Sequence, residues 1–241
     1  AYDYAVKLFS EHEQFRHSLD DESLDSGECR LASPGSIGLM LYPFILGQQQ
    51  RHPGLTVSYC FAFHQEILAD VLAGRHDLGI VTEVTRHPDL ECEAWHDEPL
   101  SLVVPADFTG TSLNDLLGLG FISYTDGLDK AGSLLRANFP DDFSSMSHFP
   151  RQGFTNEVGM VLDAVARGLG FSVVSRLVLE TSPWQRQVRE MTLTHPIDET
   201  LYLVSRRGAR VPSRYHHLLE AFREQRHLER FGHPEGRQAE G

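Results

Sequence analysis

The run from Leu31 to Ile80 constrains the fold more than any other stretch, because it alternates two kinds of apolar spacing with turn-forming residues between them. Cys29 to Ser33 is short and half apolar, and Pro34-Gly35-Ser36 then supplies the residues of a tight turn and a helix start. From Ser36 the apolar positions Ile37, Met40, Leu41, Phe44 and Ile45 lie on one helical stripe, which His52-Pro53-Gly54 ends. Pro43 and Gly47 weaken that helix from within. Leu55 to Phe61 alternates with β-branched and aromatic residues, the mark of a strand. Ile67, Leu68, Val71 and Leu72 make a second helical face closed by Gly74, and Leu78 to Val81 reads as a third strand. Helices joining strands at this spacing predict right-handed βαβ units on a parallel sheet. Ligands of such sheets gather outside the carboxyl ends of the strands, where helix N-termini present free N–H groups. Three such ends occur: Ser33 to Ser36, Phe63 to Gln65, and Val81 to Glu83.

Length and charge narrow the classes. With 241 residues, 41% of them hydrophobic, the chain holds one large or two small cores. No run reaches the roughly 18 apolar residues of a membrane span. The opening AYDYAVKLFSEHEQFRH lacks the basic start and apolar middle of an export signal, so the expected compartment is the cytoplasm, with no membrane partner. Lys and Arg total 21 against 34 Asp and Glu, a formal charge of −13 that repels phosphate backbones. Cys29, Cys60 and Cys92 are odd in number and show no C-x-x-C spacing, which reads as reduced thiols.

Residues 1–19 carry Tyr2, Ala5, Val6, Phe9 and Phe15 at helical spacing, the tail of an amphipathic helix that runs into the acidic, solvated stretch Asp20 to Glu28. Beyond Ile80, two short extended runs are expected at Glu91 to His96 and Leu100 to Val104, the second interrupted by Pro105. A helix follows at Leu113 to Leu117, capped by Thr111 or Ser112, then a strand at Gly120 to Tyr124, a helix at Lys130 to Asn138 and an extended run at Met146 to Gln152. Phe154-Thr155-Asn156 leads into a helix with Val158, Val161, Leu162 and Val165 on one face, closed by Gly168 and Gly170 before the strand Phe171 to Val174. This second half repeats the α/β plan of the first. Val188 to Leu193 and Leu201 to Ser205 add strands, and a final helix from Ser213 to about Phe231 carries Tyr215, Leu218, Leu219, Phe222 and Leu228. If that helix packs back on the first lobe, the chain crosses between lobes twice. The expected division is 1–29 as linker, 30–105 with 206–231 as the first lobe, 106–205 as the second, and 232–241 as a disordered tail, with a cleft between the lobes.

Catalytic and metal signatures are weak. His12, Glu13 and His17 resemble a zincin helix, but the two histidines are five apart and diverge. There is no G-x-S-x-G elbow, no P-loop, no G-x-G-x-x-G after a strand and no Cys/His set at metal spacing, so neither a cofactor nor a metal is expected. The histidines are scattered, with His216-His217 on the mostly polar final helix. What remains is polar residues at turns. Ser36 presents a hydroxyl and neighbouring N–H groups to an anion, or simply caps a helix; His64 donates to a ligand, or caps the second helix. Thr82 and Thr125 follow strands, with Asp126-Gly127 favouring a turn after the latter, and Thr155 and Asn156 precede a helix.

Several short motifs, in order and spacing, carry a family resemblance: Tyr42-Pro43, His52-Pro53-Gly54-Leu55, Leu72-Ala73-Gly74 through Asp77-Leu78-Gly79-Ile80, Glu98-Pro99-Leu100 leading to Val104-Pro105, and Ala166-Arg167-Gly168-Leu169-Gly170-Phe171. Over Leu31 to Phe222 the chain resembles the effector-binding region of LysR-type transcriptional regulators. The resemblance implies an α/β, two-lobe fold like a type 2 periplasmic binding protein, with two crossover strands and an effector in the central cleft. It implies a homodimer or homotetramer, and DNA contact through a winged helix-turn-helix ahead of this region, with residues 1–19 as the end of the linker helix. Carried over by position, Ser36 matches the hydroxyl residue at the start of the first helix, His64 the position before the second, and Thr82 the residue after the third strand. Pro34, Gly35, Phe63, Tyr124, Thr125, Thr155 and Asn156 complete the implied ligand set. DLGIVTE at 77–83 and SYTDG at 123–127 are similar to the sulfate-sensing branch, which points to a small molecule and specifically a small anion. Thr82 stands where aromatic-acid regulators often have Arg, Ile37 where the sulfate branch has a polar group, and Ser175 where the family usually has Pro. The rival readings are a transporter's solute-binding protein and an enzyme on the same fold, for which His64 is the one attractive catalytic group.

Overall fold

The computed structural model describes residues 26–231, so the expectations for residues 1–25 and for the tail 232–241 lie outside the described residues. Elements in chain order are β1 (Ser26–Ser33), α1 (Gly35–Arg51), β2 (Gly54–Phe61), α2 (His64–Leu72), β3 (Leu78–Val81), β4 (Leu90–Pro105), α3 (Leu113–Leu119), β5 (Phe121–Ser123), α4 (Gly127–Asn138), β6 (Arg151–Phe154), α5 (Val161–Ala166), β7 (Ser172–Ser175), α6 (Arg176–Thr181), β8 (Val188–Glu190), β9 (Asp198–Arg206) and α7 (Ser213–Phe231). The chain divides into two units. One comprises residues up to 33, 41–96 and from 203 onward; the other comprises 34–40 and 97–202. Strands β4 and β9 each begin in one unit and end in the other.

In the first unit the βαβ pattern forms as its spacing predicts: β1 pairs in parallel with β2 and with β3, giving the order β2-β1-β3-β9. Strand β1 starts at Ser26, inside the stretch read as acidic linker, because Ser26 to Glu28 continue the parallel register with Gly54 to Thr56. Ile67 and Val71 of α2 are fully buried against β3. A side chain at Gly79 would bring its Cβ within 2.5 Å of Ile67 Cγ2, so this close helix-on-strand contact requires glycine. Helix α7 returns to the same unit, with Phe222 edge-on to Phe44 at 5.4 Å and stacked on Trp95 at 6.1 Å. Its first turn is held by charge. Arg30 pairs with Asp77 at 2.6 Å, the Tyr215 hydroxyl donates to Asp77 at 2.7 Å and accepts the Arg30 backbone N–H at 2.7 Å, and Arg214 donates to the Glu28 carbonyl at 3.1 Å.

In the second unit β4 runs antiparallel to β7 and to β8, and β5 runs parallel to β6. The period of two sorts side chains onto two faces. Leu100, Leu102 and Val104 of β4 with Val173 of β7 face Leu116, Leu134, Phe149 and Phe171, whereas Val103 and Val174 face Ile122, Val161, Leu162 and Val178. Each fully buried aliphatic side chain among these contributes about 1.5–3 kcal/mol.

Three local expectations change. The two runs around Pro99 are one strand of 16 residues, β4, which lies beside β9 and whose second half, from Leu100 to Pro105, pairs with β7 and β8. Met146 to Gln152 is not extended throughout: Met146–His148 is a 3-10 turn with Ser145 Oγ accepting the Ser147 N–H, and β6 starts only at Arg151. Helix α6 was not expected. The Ser175 side chain does not cap it; the buried Glu98 carboxylate accepts the Leu177 N–H at 3.0 Å instead.

Candidate functional site

Within the second unit, the turn Pro34 to Ser36 opens α1. The Pro34 carbonyl accepts the Gly38 N–H at 3.1 Å, and Ser36, buried, lies inside the first helical turn rather than at the cap, because the helix begins one residue earlier at Gly35. No acidic residue occupies that first turn. The turn packs on residues 157–159: a Cβ at Gly35 would lie 3.5 Å from Val158 Cγ1 and 3.7 Å from Glu157 Oε1, and one at Gly159 would lie 3.5 Å from Leu39.

The other candidates of this unit are tied to the same place by backbone hydrogen bonds. Thr155 N–H donates to the Ser123 carbonyl at 3.1 Å, joining the ends of β6 and β5, and Thr155 Oγ1 accepts the Glu157 N–H at 3.1 Å. Glu157 Oε1 in turn accepts the Gly159 N–H at 3.3 Å. Tyr124 is buried directly after β5, and its carbonyl accepts the Gly127 N–H at 3.1 Å, so the turn predicted at Asp126-Gly127 forms. Gly127 has no room for a side chain there, since its Cβ would meet the Tyr124 ring at 2.7 Å. Thr125 and Asn156 are exposed at the tips of these two loops. Pro34, Gly35, Ser36, Tyr124, Thr125, Thr155 and Asn156 therefore form one neighbourhood built from the starts of α1 and α4 and the turn ahead of α5.

Phe63, His64 and Thr82 belong to the first unit. Phe63, not His64, occupies the cap position of α2, and the Phe63 N–H is taken by Glu66 Oε2 at 3.2 Å, so His64 has no capping role. The His64 Nδ1 is buried without a hydrogen-bond partner among the described residues. Thr82 is half-buried just past β3.

Beside Tyr124 lies a group of ionisable residues that no sequence motif marks. Lys130 of α4 is buried, pairs with Glu199 of β9 at 2.9 Å, and sits 5.8 Å from the centroid of the Tyr124 ring. Burial opposes the Lys130 charge, but Tyr124 and Glu199 outweigh it and hold the ammonium pKa above the ordinary lysine value. Burial pushes the Glu199 carboxyl up, with Lys130 pulling the other way and Asp126 and Glu98 adding to the rise. Burial likewise pushes the Tyr124 hydroxyl up to about 12. A signal for Lys130 existed: it falls on the helical face of Ala131, Leu134 and Leu135, which are buried.

The cysteines are free. Burial pushes the Cys29 thiol up to about 11, which keeps it protonated and a poor nucleophile. Among the described residues no three His, Cys, Asp or Glu side chains gather in a set able to hold a metal ion, and no helix is long and apolar enough to cross a membrane.

Residues 22–226 match the family described as the LysR substrate binding domain. The chain is 27% identical over 170 residues to the HTH-type transcriptional regulator CysL of Bacillus subtilis, covering 67% of this chain and 55% of CysL. It is 26% identical over 205 residues to the RuBisCO operon transcriptional regulator of Allochromatium vinosum, covering 83% of this chain and 67% of that protein. Its fold is similar to the sulfate-bound regulatory domain of an OxyR2 mutant from Vibrio vulnificus, with a TM-score of 0.68 and 15% identity over 84% of this chain and 98% of that one. Both sequence relatives are transcriptional regulators, and with the family match covering most of its length the chain belongs to the LysR substrate-binding domain family.

Proposed function

We propose that this chain is the effector-sensing part of a cytoplasmic LysR-type regulator and that its effector is a small anion. The observation that carries the second half is the opening of α1. Its first turn has no acidic residue although the chain carries a formal charge of −13, and it packs on the loop that follows the Thr155 hydroxyl, with Ser36 inside the turn. A helix N-terminus with a hydroxyl at hand suits an oxyanion. Ser36, Thr125 and Thr155 supply donors in the second unit, with Pro34, Gly35, Tyr124 and Asn156 shaping the loops; Phe63, His64 and Thr82 are assigned as effector residues of the first unit. The OxyR2 regulatory domain solved with sulfate bound supports a small oxyanion as the first probe.

DNA reading is assigned to the regulator's DNA-binding domain rather than to this acidic segment, and the working form to a homodimer or homotetramer. The effector acts through a difference in affinity between two conformations; equal affinity for both would change nothing.

The test is calorimetric titration with sulfate, thiosulfate, phosphate and acetate at constant ionic strength. One anion is expected to bind saturably, with affinity falling about tenfold in Ser36→Ala combined with Thr155→Val, the order expected for hydrogen bonds to a charged group. His64→Ala and Thr82→Val measure the share of the first unit. Binding that none of these substitutions alters would overturn the site, and no saturable binding of any anion would overturn the ligand class.

A further inference from the structure

A cavity of about 530 Å3 lies wholly within the second unit, walled by α4, the segment 143–149 and the start of β6. None of the residues assigned above to the effector lines it. Its volume is within the range of roughly 300–1,000 Å3 typical of small-molecule pockets. Phe121, Phe149 and Met146 give the cavity an apolar lining, and Ser144, Ser145 and Ser147 line it as well, the Ser144 hydroxyl bonded to His148 Nδ1 at 2.9 Å and the other two hydroxyls bonded to each other at 3.0 Å.

The charge of the lining is unusual for this chain. Arg136 and Arg151 both line the cavity, and no carboxylate among the described residues forms an ion pair with either. Their guanidinium groups rest on rings instead, Arg136 at 5.8 Å from the centroid of Phe143 and Arg151 at 5.3 Å from that of Phe154. Asp129 is the acidic group in the lining, leaving two guanidiniums against one carboxylate in a protein whose formal charge is −13. Gly132 faces the cavity from the middle of α4, where its missing side chain meets nothing closer than Met146 Cγ at 3.7 Å. A glycine inside a helix costs about 0.5–1 kcal/mol relative to alanine, and here its effect is to leave the volume open.

We propose that this cavity is a second small-molecule site, independent of the effector site, and that it takes an amphipathic monoanion: an aromatic ring bearing a carboxylate or sulfonate. The ring lies on the apolar lining, where aromatic edges and faces add to area burial. The anionic head is held by Arg136 and Arg151, whose planar donors match a carboxylate. Asp129 accepts from a hydroxyl on the ligand where one is present and rejects a dianion.

The experiment is titration of the full chain with 2-naphthoate and, separately, with its neutral alcohol, 2-naphthalenemethanol. Expected are one naphthoate per chain, an affinity loss of about tenfold or more in Arg136→Ala with Arg151→Ala, and no effect of that pair on the alcohol. Gly132→Leu should abolish binding of both by filling the cavity, with an unchanged circular dichroism spectrum. Ser36→Ala with Thr155→Val should leave naphthoate binding intact, which separates this site from the effector site. No saturable binding to the unmodified chain, binding retained in Gly132→Leu, or loss in the Ser36 and Thr155 variant but not in the arginine variant would each overturn the proposal.

Discussion

Both units bury charge, and they use it differently. In the first, Arg30, Asp77 and Tyr215 close a network that bolts the start of α7 to β1 and to the residue ahead of β3. In the second, Lys130 and Glu199 form a pair next to Tyr124, at the carboxyl end of β5, with Glu98 spent on the start of α6. The first network sits by the entry of β3, away from the loops at which parallel sheets take ligands; the second sits among them. Buried charge at the one end fastens an element, and at the other it shapes the loop that presents candidate ligand residues. The number of partners differs as well: Asp77 accepts from Arg30 Nε, Arg30 Nη2 and the Tyr215 hydroxyl, whereas the Glu199 carboxylate has the single Lys130 ammonium across both of its oxygens.

The largest effect is expected at Lys130. Lys130→Met leaves the Glu199 carboxylate buried without its counter-ion, and urea denaturation should show a loss of roughly 3–5 kcal/mol, while Lys130→Met with Glu199→Leu should recover most of it. Equal losses in the single and double variants would show that the pair is not a buried charge pair. A smaller effect is expected in the first unit. Asp77→Asn weakens charge-assisted bonds that Arg30 and Tyr215 still partly satisfy, and should cost roughly 1.5–3 kcal/mol by the same assay. The loss should leave effector binding to the second unit's residues unaltered, and a changed affinity would erase the distinction between fastener and site.

The smallest effect concerns pH, and it too belongs to the first unit. Burial lowers the His76 imidazole below its ordinary 6.5, with Asp70 opposing the shift and Arg30 adding to it. The folded state therefore holds the neutral ring, and the unfolded chain binds more protons just below pH 6.5. The His76 contribution is present above that pH and is lost as pH falls through the lowered folded value. Stability measured from pH 7 downward should decline less steeply in His76→Gln than in the unmodified chain. An identical slope would remove His76 from the account.

Much of the first unit was legible because its elements are local and amphipathic. Ile67, Leu68 and Val71 lie at helical spacing, and Leu78 to Val81 are all buried. The long α1 formed across Pro43 and Gly47, since fully buried Ile37, Leu41 and Ile45 anchor it on both sides of the proline. In the second unit the position of α3 was legible from its cap and spacing, and Ser112 does cap it by accepting the Asp115 N–H; α4 was legible from spacing alone and begins at Gly127, three residues ahead of the expected Lys130, with no side-chain cap. Helix α6 was not, because its start is held by a carboxylate 79 residues distant in sequence. The candidate site divides in the same way. Ser36, Thr125 and Thr155 could be named because turns announce themselves, but their grouping around residues 155–159 could not.

What the sequence determined by itself was the alternation of periods, the stops at glycine and proline, and hence the βαβ plan and the loops on which polar residues sit. These are properties of neighbours along the chain, where propensity and spacing act. Tertiary structure alone decided that Phe63 rather than His64 caps α2, that Glu98 serves α6, that Lys130 meets Glu199 across 69 positions, and that two arginines share one cavity. Each depends on which distant side chain takes a buried polar group out of water, and the cost of leaving such a group unpaired is fixed only once the chain has closed around it.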